Sequence, residues 1–360
     1  MRINTRAPSS FRRLILLTLL SGFGAAANAG CSSGPPPATT ESAALVIRGA
    51  GSTFSAPLFA QWATAYHQLH PDVAVRYDPV GSGEGVRRFL GRNVPTEQAV
   101  DFGASDSAMS DEQLAQAPDT LMLPVTGGCV TVAYNVPGLH GLKLTRRAYA
   151  GIFAGTIDRW NAPEIAIANP HLALPDLAIA RIVRQDSSGT TFAFSSHLAA
   201  ISDTFGRESP PGTLVEWRGE AMRANGNEGV AGMIKTYHGT IGYVGFEFAQ
   251  QLGLDMAALQ NRAGSFVEPS EGACGAGLAS AQLPANLRVF VTDPAGPEAY
   301  PIVTFSWALV RKSASGQTAE AIRSFFHWAV TDGQQSASQL GYVPLPDSVS
   351  AKGLEALAGS

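Results

Sequence analysis

The chain has 360 residues, 45% of them hydrophobic, with 38 glycines and 23 prolines, a composition that fits a globular protein of about two domains with many tight turns. Lys and Arg total 25 against 29 acids, so no basic field advertises a nucleic-acid partner. The first 30 residues hold Arg2, Arg6, Arg12 and Arg13 and no acid, and without them 21 basic residues face 29 acidic ones.

Those four arginines precede an apolar run from Leu14 to Leu20 that continues from Phe23 to Ala27. The run is too short and too rich in small residues for a comfortable membrane span, so residues 1–30 read as an export signal. Two cleavage readings compete. Ala27-Asn28-Ala29 fits the small-x-small rule of ordinary signal peptidase, whereas Ala29-Gly30-Cys31 resembles the end of a lipoprotein box with Cys31 acylated, although Asn28 fits that box poorly. Residues 31–43 are Ser/Pro-rich, with Pro35, Pro36 and Pro37, and suit a semi-rigid tether lifting a domain off a membrane; this tips the balance slightly towards the lipid anchor. Cys129 and Cys274 then remain as a pair in an oxidising compartment, where a disulfide and two separately buried thiols stand about even. No CxxC or Cys/His spacing points to a metal, and no cofactor is expected.

In chain order, the remainder alternates strand and helix signals. Ala44–Arg48 is a short apolar strand ending in Gly49-Ala50-Gly51, and Leu58, Trp62, Ala65, Tyr66 and Leu69 recur at helical spacing. Val73, Val75 and Tyr77 alternate as a strand, followed by Gly81-Ser82-Gly83 and a helix over Val86–Leu90. Asp101-Phe102-Gly103-Ala104-Ser105-Asp106 leads to a short helix near Asp111–Gln116. Leu121–Val125 and Cys129–Tyr134 read as two strands, with Gly127-Gly128 as a crossing point between lobes. Thr145 caps a helix ending at Phe153. Further on, Ile241–Val244, Arg288–Val291 and Ile302–Val310 read as strands, and Thr318–Ala329 as a capped helix stopped by Gly333. This punctuation implies α/β architecture with a largely parallel sheet and ligand groups at the carboxyl ends of its strands.

The most informative stretch is Arg184-Gln185-Asp186-Ser187-Ser188-Gly189-Thr190-Thr191. A strand-like lead delivers Arg184, then hydroxyls and a glycine open a helix, whose first N–H groups and positive dipole end suit an anion. Arg184 adds a rigid fork of five donors. An ordinary cap by Ser188 explains the stretch about as well when it is taken alone.

Ten dispersed phrases together resemble one family, the phosphate-binding receptors of bacterial phosphate-specific ABC transporters. Among them are Gly49-Ala50-Gly51-Ser52-Thr53-Phe54, Gly81-Ser82-Gly83, Asp101 to Asp106, Arg184 to Thr191, Gly226-Asn227-Glu228-Gly229-Val230 and Gly341-Tyr342-Val343-Pro344-Leu345-Pro346. They fall in the family's order and cover nearly everything after residue 45. The resemblance implies a two-lobed periplasmic-binding-protein-like fold of type II with a hinged interlobe cleft, lobe 1 being residues 44–124 plus 300–360 and lobe 2 residues 125–299. It implies no enzyme but a receptor for inorganic phosphate, exported, periplasmic or lipid-anchored, that delivers to a permease and an ATPase. Carried over residue by residue, the phosphate contacts are Thr53, Phe54, Ser82 and Asp106 from one lobe and Arg184, Ser188, Gly189 and Thr190 from the other, with Asp186 orienting Arg184. Ser187 departs from the family, which most often has Gly there. Asn227 and Glu228 are better explained by capping or an inter-lobe role than as ligand contacts.

Asp106 is the odd member of that set, because a carboxylate beside an oxyanion is repulsive unless a proton lies between them. Phosphate carries one at neutral pH and sulfate does not, so Asp106 selects protonated tetrahedral oxyanions. A phosphatase would also need an anion cradle, yet no G-x-S-x-G elbow, HExxH or dense Asp/His cluster is present.

Overall fold

The computed structural model describes residues 44–91 and 93–359. In chain order, β1 (Leu45–Gly51), α1 (Ala56–Leu69), β2 (Val73–Asp78), α2 (Ser82–Leu90), β3 (Phe102–Ser105) and α3 (Asp111–Ala115) precede the long β4 (Thr120–Asn135). Then follow β5 (Lys143–Leu144), α4 (Arg146–Phe153), α5 (Pro163–Ala166), β6 (Ala180–Arg184), α6 (Gly189–Ile201), α7 (Asp203–Glu208), β7 (Met222–Ala224), α8 (Gly226–Thr236), β8 (Thr240–Gly245) and α9 (Phe246–Gln251). The chain closes with β9 (Asp255–Met256), β10 (Ala258–Gln260), β11 (Phe266–Val267), α10 (Glu271–Ala279), β12 (Val303–Arg311), α11 (Gln317–Ala329), α12 (Gln335–Gln339) and α13 (Asp347–Ala358).

Among the described residues nine strands form one mixed sheet in the order β2-β1-β3-β12-β4-β8-β6-β7, with β9 also on β4; β11, β10 and β5 form a small second sheet. The two halves of the large sheet are built alike. In the first, β1 runs parallel to β2 and β3, and β12 joins β3 antiparallel. In the second, β6 runs parallel to β7 and β8, and β4 joins β8 antiparallel. The expected parallel sheet therefore holds only within each trio, and the middle, β12 on β4, is antiparallel.

Several sequence expectations need correction. Gly127 and Gly128 do not break β4, which runs unbroken for 16 residues. Both are packed too closely for side chains: a Cβ on Gly127 would come within 2.5 Å of Leu278 Cδ1, and one on Gly128 within 2.9 Å of the Phe54 ring. These glycines are small because neighbours press on them, and pressure of that kind leaves no local sequence signal. Residues 288–291 form no strand; their surroundings offer only a single bridge, Thr292 with Ile302. Leu69 is 62% exposed, so α1 buries Leu58, Phe59, Trp62 and Tyr66 instead. The cap of α11 is Gly316, without a side-chain bond, and the helix ends before Val330 rather than at Gly333. The Ile322, Phe325, Phe326 and Ala329 stripe is buried as expected, and Thr145 caps α4 by accepting from the Ala148 N–H.

Each half has an aromatic core that reaches the loops at the carboxyl ends of its parallel strands. In the first, the Phe59 ring stacks on Tyr77 at 4.4 Å and lies near Phe102, burial worth about 1.5–3 kcal/mol per ring. The Tyr77 hydroxyl then donates to Ser52 O at 2.7 Å, fixing the turn after β1. In the second, Tyr243 stacks on Phe194 at 4.3 Å, while its hydroxyl accepts from the Arg184 N–H at 3.2 Å and pairs with Thr191 Oγ1 at 2.7 Å. Cys129 on β4 is bonded to Cys274 on α10, 145 residues away.

Candidate functional site

The carboxyl ends of both parallel trios meet. After β1, Ser52 turns the chain so that Thr53 and Phe54 precede α1, and the Tyr342 hydroxyl holds Phe54 O at 2.6 Å. Ser82 opens α2, and its Oγ accepts from the Asp106 N–H at 3.2 Å. Asp106 follows β3 and is 2% exposed. Its Oδ1 accepts from Ser52 Oγ at 2.5 Å and from Ser306 Oγ at 2.8 Å. Burial nevertheless pushes the Asp106 carboxyl up to about 6, against the pull of those hydroxyls and of the Arg184 charge.

From the other half, β6 delivers Arg184, whose side chain is only 1% exposed. Arg184 Nε donates to Asp186 Oδ1 at 2.7 Å, and Nη2 donates to Asp186 Oδ2. Burial raises Asp186, but the Arg184 hydrogen bond and charge outweigh it and leave its carboxyl below the ordinary range. The third nitrogen, Nη1, is buried and has no hydrogen-bond partner among the described residues. Ser188 caps α6 by accepting from the Thr191 N–H at 3.1 Å. Gly189 is required by proximity: a Cβ there would sit 2.7 Å from Asp106 C and from Ser82 Oγ. Gly81, at φ +93°, lies equally close to the other half, since a Cβ on it would meet Asp186 Oδ2 at 2.5 Å.

This arrangement suits a small dehydrated anion. A helix leaves its first N–H groups unpaired, which frees those of Gly189 and Thr190 at the start of α6. Ser82 and Ser188 each accept a backbone N–H, so each hydroxyl proton is free to be donated. A buried guanidinium nitrogen without an acceptor is costly, and an anion would satisfy it. Cavities of about 1160 Å³ and 460 Å³ flank the cluster, the first reached by Thr53, Tyr77, Asp186 and Gly226, the second by Ser82, Ser105, Asp186 and Ser187. Among the described residues no group of three or more His, Cys, Asp or Glu could hold a metal ion.

The structure brings Thr53, Phe54, Ser82, Asp106, Arg184, Ser188, Gly189 and Thr190 into one buried cluster, with the half-buried Asp186 beside Arg184. Cys31, the export signal and the tether lie outside the described residues. Ser187 Oγ donates to Thr213 Oγ1 at 2.9 Å, and the Gly83 N–H donates to Ser187 O at 3.0 Å, so Ser187 is held by its own half through the side chain and by the start of α2 through the backbone. Sequence reasoning missed Ser52, Ser306, Tyr342 and Glu247. Ser52 stood inside a quoted phrase and could have been found there; Ser306 lies in the middle of a buried strand with nothing local to mark it. Glu247, next to the end of β8, is 5% exposed, and among the described residues neither of its carboxyl oxygens makes a hydrogen bond of ordinary geometry; burial pushes it well above its ordinary range, and the charge of Asp106 adds to this.

A family model described as a PBP superfamily domain matches residues 37–333. The chain is 37% identical over 308 residues to the phosphate-binding protein PstS of Haemophilus influenzae, covering 84% of this chain and 90% of that protein. It is 32% identical over 358 residues to the phosphate-binding protein PstS of Methanocaldococcus jannaschii, covering 91% of this chain and 90% of that protein. Its fold is similar to the crystal structure of a phosphate-binding protein from Stenotrophomonas maltophilia, with a TM-score of 0.68 at 19% identity over 87% of this chain and 94% of that one.

Proposed function

The chain belongs to the PstS family of phosphate-binding proteins, and on that premise we propose that it captures inorganic phosphate between the two halves of its sheet and hands it to the permease and ATPase of an ABC importer. It is a receptor, not an enzyme. The observation that carries this reading is Arg184 Nη1, a buried donor with no acceptor among the described residues, set among hydroxyls and helix-start N–H groups.

In this reading residues 44–124 with 300–360 form one lobe and residues 125–299 the other. Thr53, Phe54, Ser82 and Asp106 grip the anion from the first; Arg184, Ser188, Gly189 and Thr190 grip it from the second. The Asp186 ion pair leaves Nη1 of Arg184 facing the guest. Asp106 accepts the proton that phosphate retains, and a fully deprotonated competitor would bury two facing charges instead. Such a site discriminates by on the order of 10⁴. We further propose that residues 1–30 direct export and that Cys31 carries a lipid, which mass spectrometry of the mature N-terminus tests.

The central experiment is calorimetric titration of the full chain with phosphate and with sulfate across pH. Saturable binding of phosphate with no competition from equimolar sulfate is expected; equal affinities would overturn the reading.

A further inference from the structure

Asn227, at the start of α8, is 1% exposed and touches both sides of the anion cluster. Its backbone N–H donates to Thr53 Oγ1 at 3.1 Å. Its side-chain Nδ2 donates twice, to Thr53 Oγ1 at 3.0 Å and to Thr190 Oγ1 at 3.2 Å. Its Oδ1 accepts from the Gly245 N–H at 3.0 Å. That last bond fixes the amide, because a backbone N–H only donates, so the atom facing it is oxygen and the atom facing the threonines is nitrogen.

The consequence falls on the threonines. A hydroxyl has two acceptor sites and one proton. Asn227 fills both acceptor sites of Thr53 Oγ1 and one of Thr190 Oγ1, and among the described residues neither hydroxyl donates to a protein acceptor. Each is thereby left as a donor towards the cluster. Ser82 and Ser188 are set the same way by backbone N–H groups, but the two threonines depend on a side chain. The first two N–H groups of α8 are already engaged: that of Gly226 by Asp186 Oδ1 at 3.0 Å, that of Asn227 by Thr53 Oγ1 at 3.1 Å.

We infer that Asn227 is a positioning residue for anion capture, aiming the Thr53 and Thr190 hydroxyl protons from opposite lobes at the bound oxyanion without touching it. This rests on the phosphate-receptor reading and adds to it a residue that sets the donor polarity of the site. It also makes Asn227 a link that forms only when the two sides are together.

A double-mutant cycle tests it. Phosphate affinity of the full-length protein is measured by calorimetry for wild type, Asn227→Ala, the Thr53→Val/Thr190→Val pair and the combined triple variant, with ligand-free melting temperatures alongside. Asn227→Ala is expected to weaken phosphate binding about 10- to 100-fold. In the valine background, where no hydroxyl remains to be aimed, the same change costs less than about threefold. A residue that merely supports the fold would weaken binding by the same factor in both backgrounds, and that result overturns the assignment, as does an Asn227→Ala affinity within twofold of wild type. Should Asn227→Ala fail to fold, Asn227→Leu, closer in volume, carries the same cycle; failure of both makes Asn227 a folding residue and also overturns it. Wild-type protein that binds no phosphate would overturn the receptor reading itself, whereas wild-type binding with multiplicative effects overturns this inference alone.

Discussion

Ser306 donates to Asp106 at 2.8 Å across 200 residues of chain, so the carboxylate at the end of β3 is held by the strand that returns from the far half. With Ser52 on the same oxygen, Asp106 cannot swing away from a guest. Asp106→Asn is expected to narrow the preference for phosphate over sulfate by at least about 100-fold, since an amide can donate to a fully deprotonated oxyanion. Competition calorimetry at pH 7.5 reads the ratio, and an unchanged ratio removes the role given to Asp106.

Two buried carboxyls give the ligand-free protein a pH dependence. Asp106 is held at about 6 against an ordinary 3.8, so it binds its proton more tightly folded than unfolded. Its stabilising contribution is full below about pH 3.8 and is lost as pH rises through about 6, on the order of 3 kcal/mol. Glu247 is raised in the same sense above 4.5, chiefly by burial. The wild-type melting temperature should therefore fall between pH 5 and pH 8 by more than that of Asp106→Asn or Glu247→Gln, and the variants should approach wild type near pH 4. Parallel profiles would show that neither group is held as described.

Arg184→Lys keeps the charge and loses the fork. Lysine cannot satisfy both Asp186 oxygens and still present a donor where Nη1 lies. Phosphate affinity is expected to fall about 10- to 100-fold with the melting temperature of the ligand-free protein changed less than by Arg184→Ala, which leaves the half-buried Asp186 without its partner. Calorimetry and thermal unfolding on the same samples measure both.

The Cys129–Cys274 bond closes a loop of 145 residues between β4 and α10. Reducing it, or replacing both cysteines by alanine, is expected to cost about 2–5 kcal/mol of stability. Denaturant unfolding with and without reductant reads the difference, and identical midpoints would mean that the unfolded chain is not constrained by the bond.

If lobe closure accompanies capture, the Thr53–Asn227 and Gly83–Ser187 contacts form only in the closed state. Phosphate should then reduce the radius of gyration in solution scattering, while Thr53→Val/Asn227→Ala protein compacts less at saturating phosphate. Identical profiles with and without phosphate would count against a hinge.

Much of the proposed site was legible because its residues sit where strands end and helices begin, places that sequence marks with glycine and hydroxyl residues; Thr53, Ser82, Asp106 and Arg184 through Thr190 all fall there. What escaped were residues whose role comes from packing between distant segments. Ser306 is one small polar residue in an apolar strand, Tyr342 sits in a family-like phrase that does not reveal its bond to Phe54 O, and Glu247 follows β8 just beyond any such phrase. Asn227 stood in a recognised phrase, and the inter-lobe alternative to ligation describes its contacts. The continuity of β4 was misread because Gly127-Gly128 looks like a break, when those glycines make room for Leu278 and Phe54.

That unbroken strand limits how such a receptor can open. β4 pairs with β12 along its first part and with β8 along its last, so neither side can slide past the other without tearing a ladder. If the two halves part, the motion falls as torsion on the two side-chain-free residues at mid-strand and on the register shift between Ser306 and Trp307 on the neighbouring strand. The same shift begins at the serine that holds Asp106, so unwinding the bar would also loosen the group proposed to check the cargo for its hydrogen.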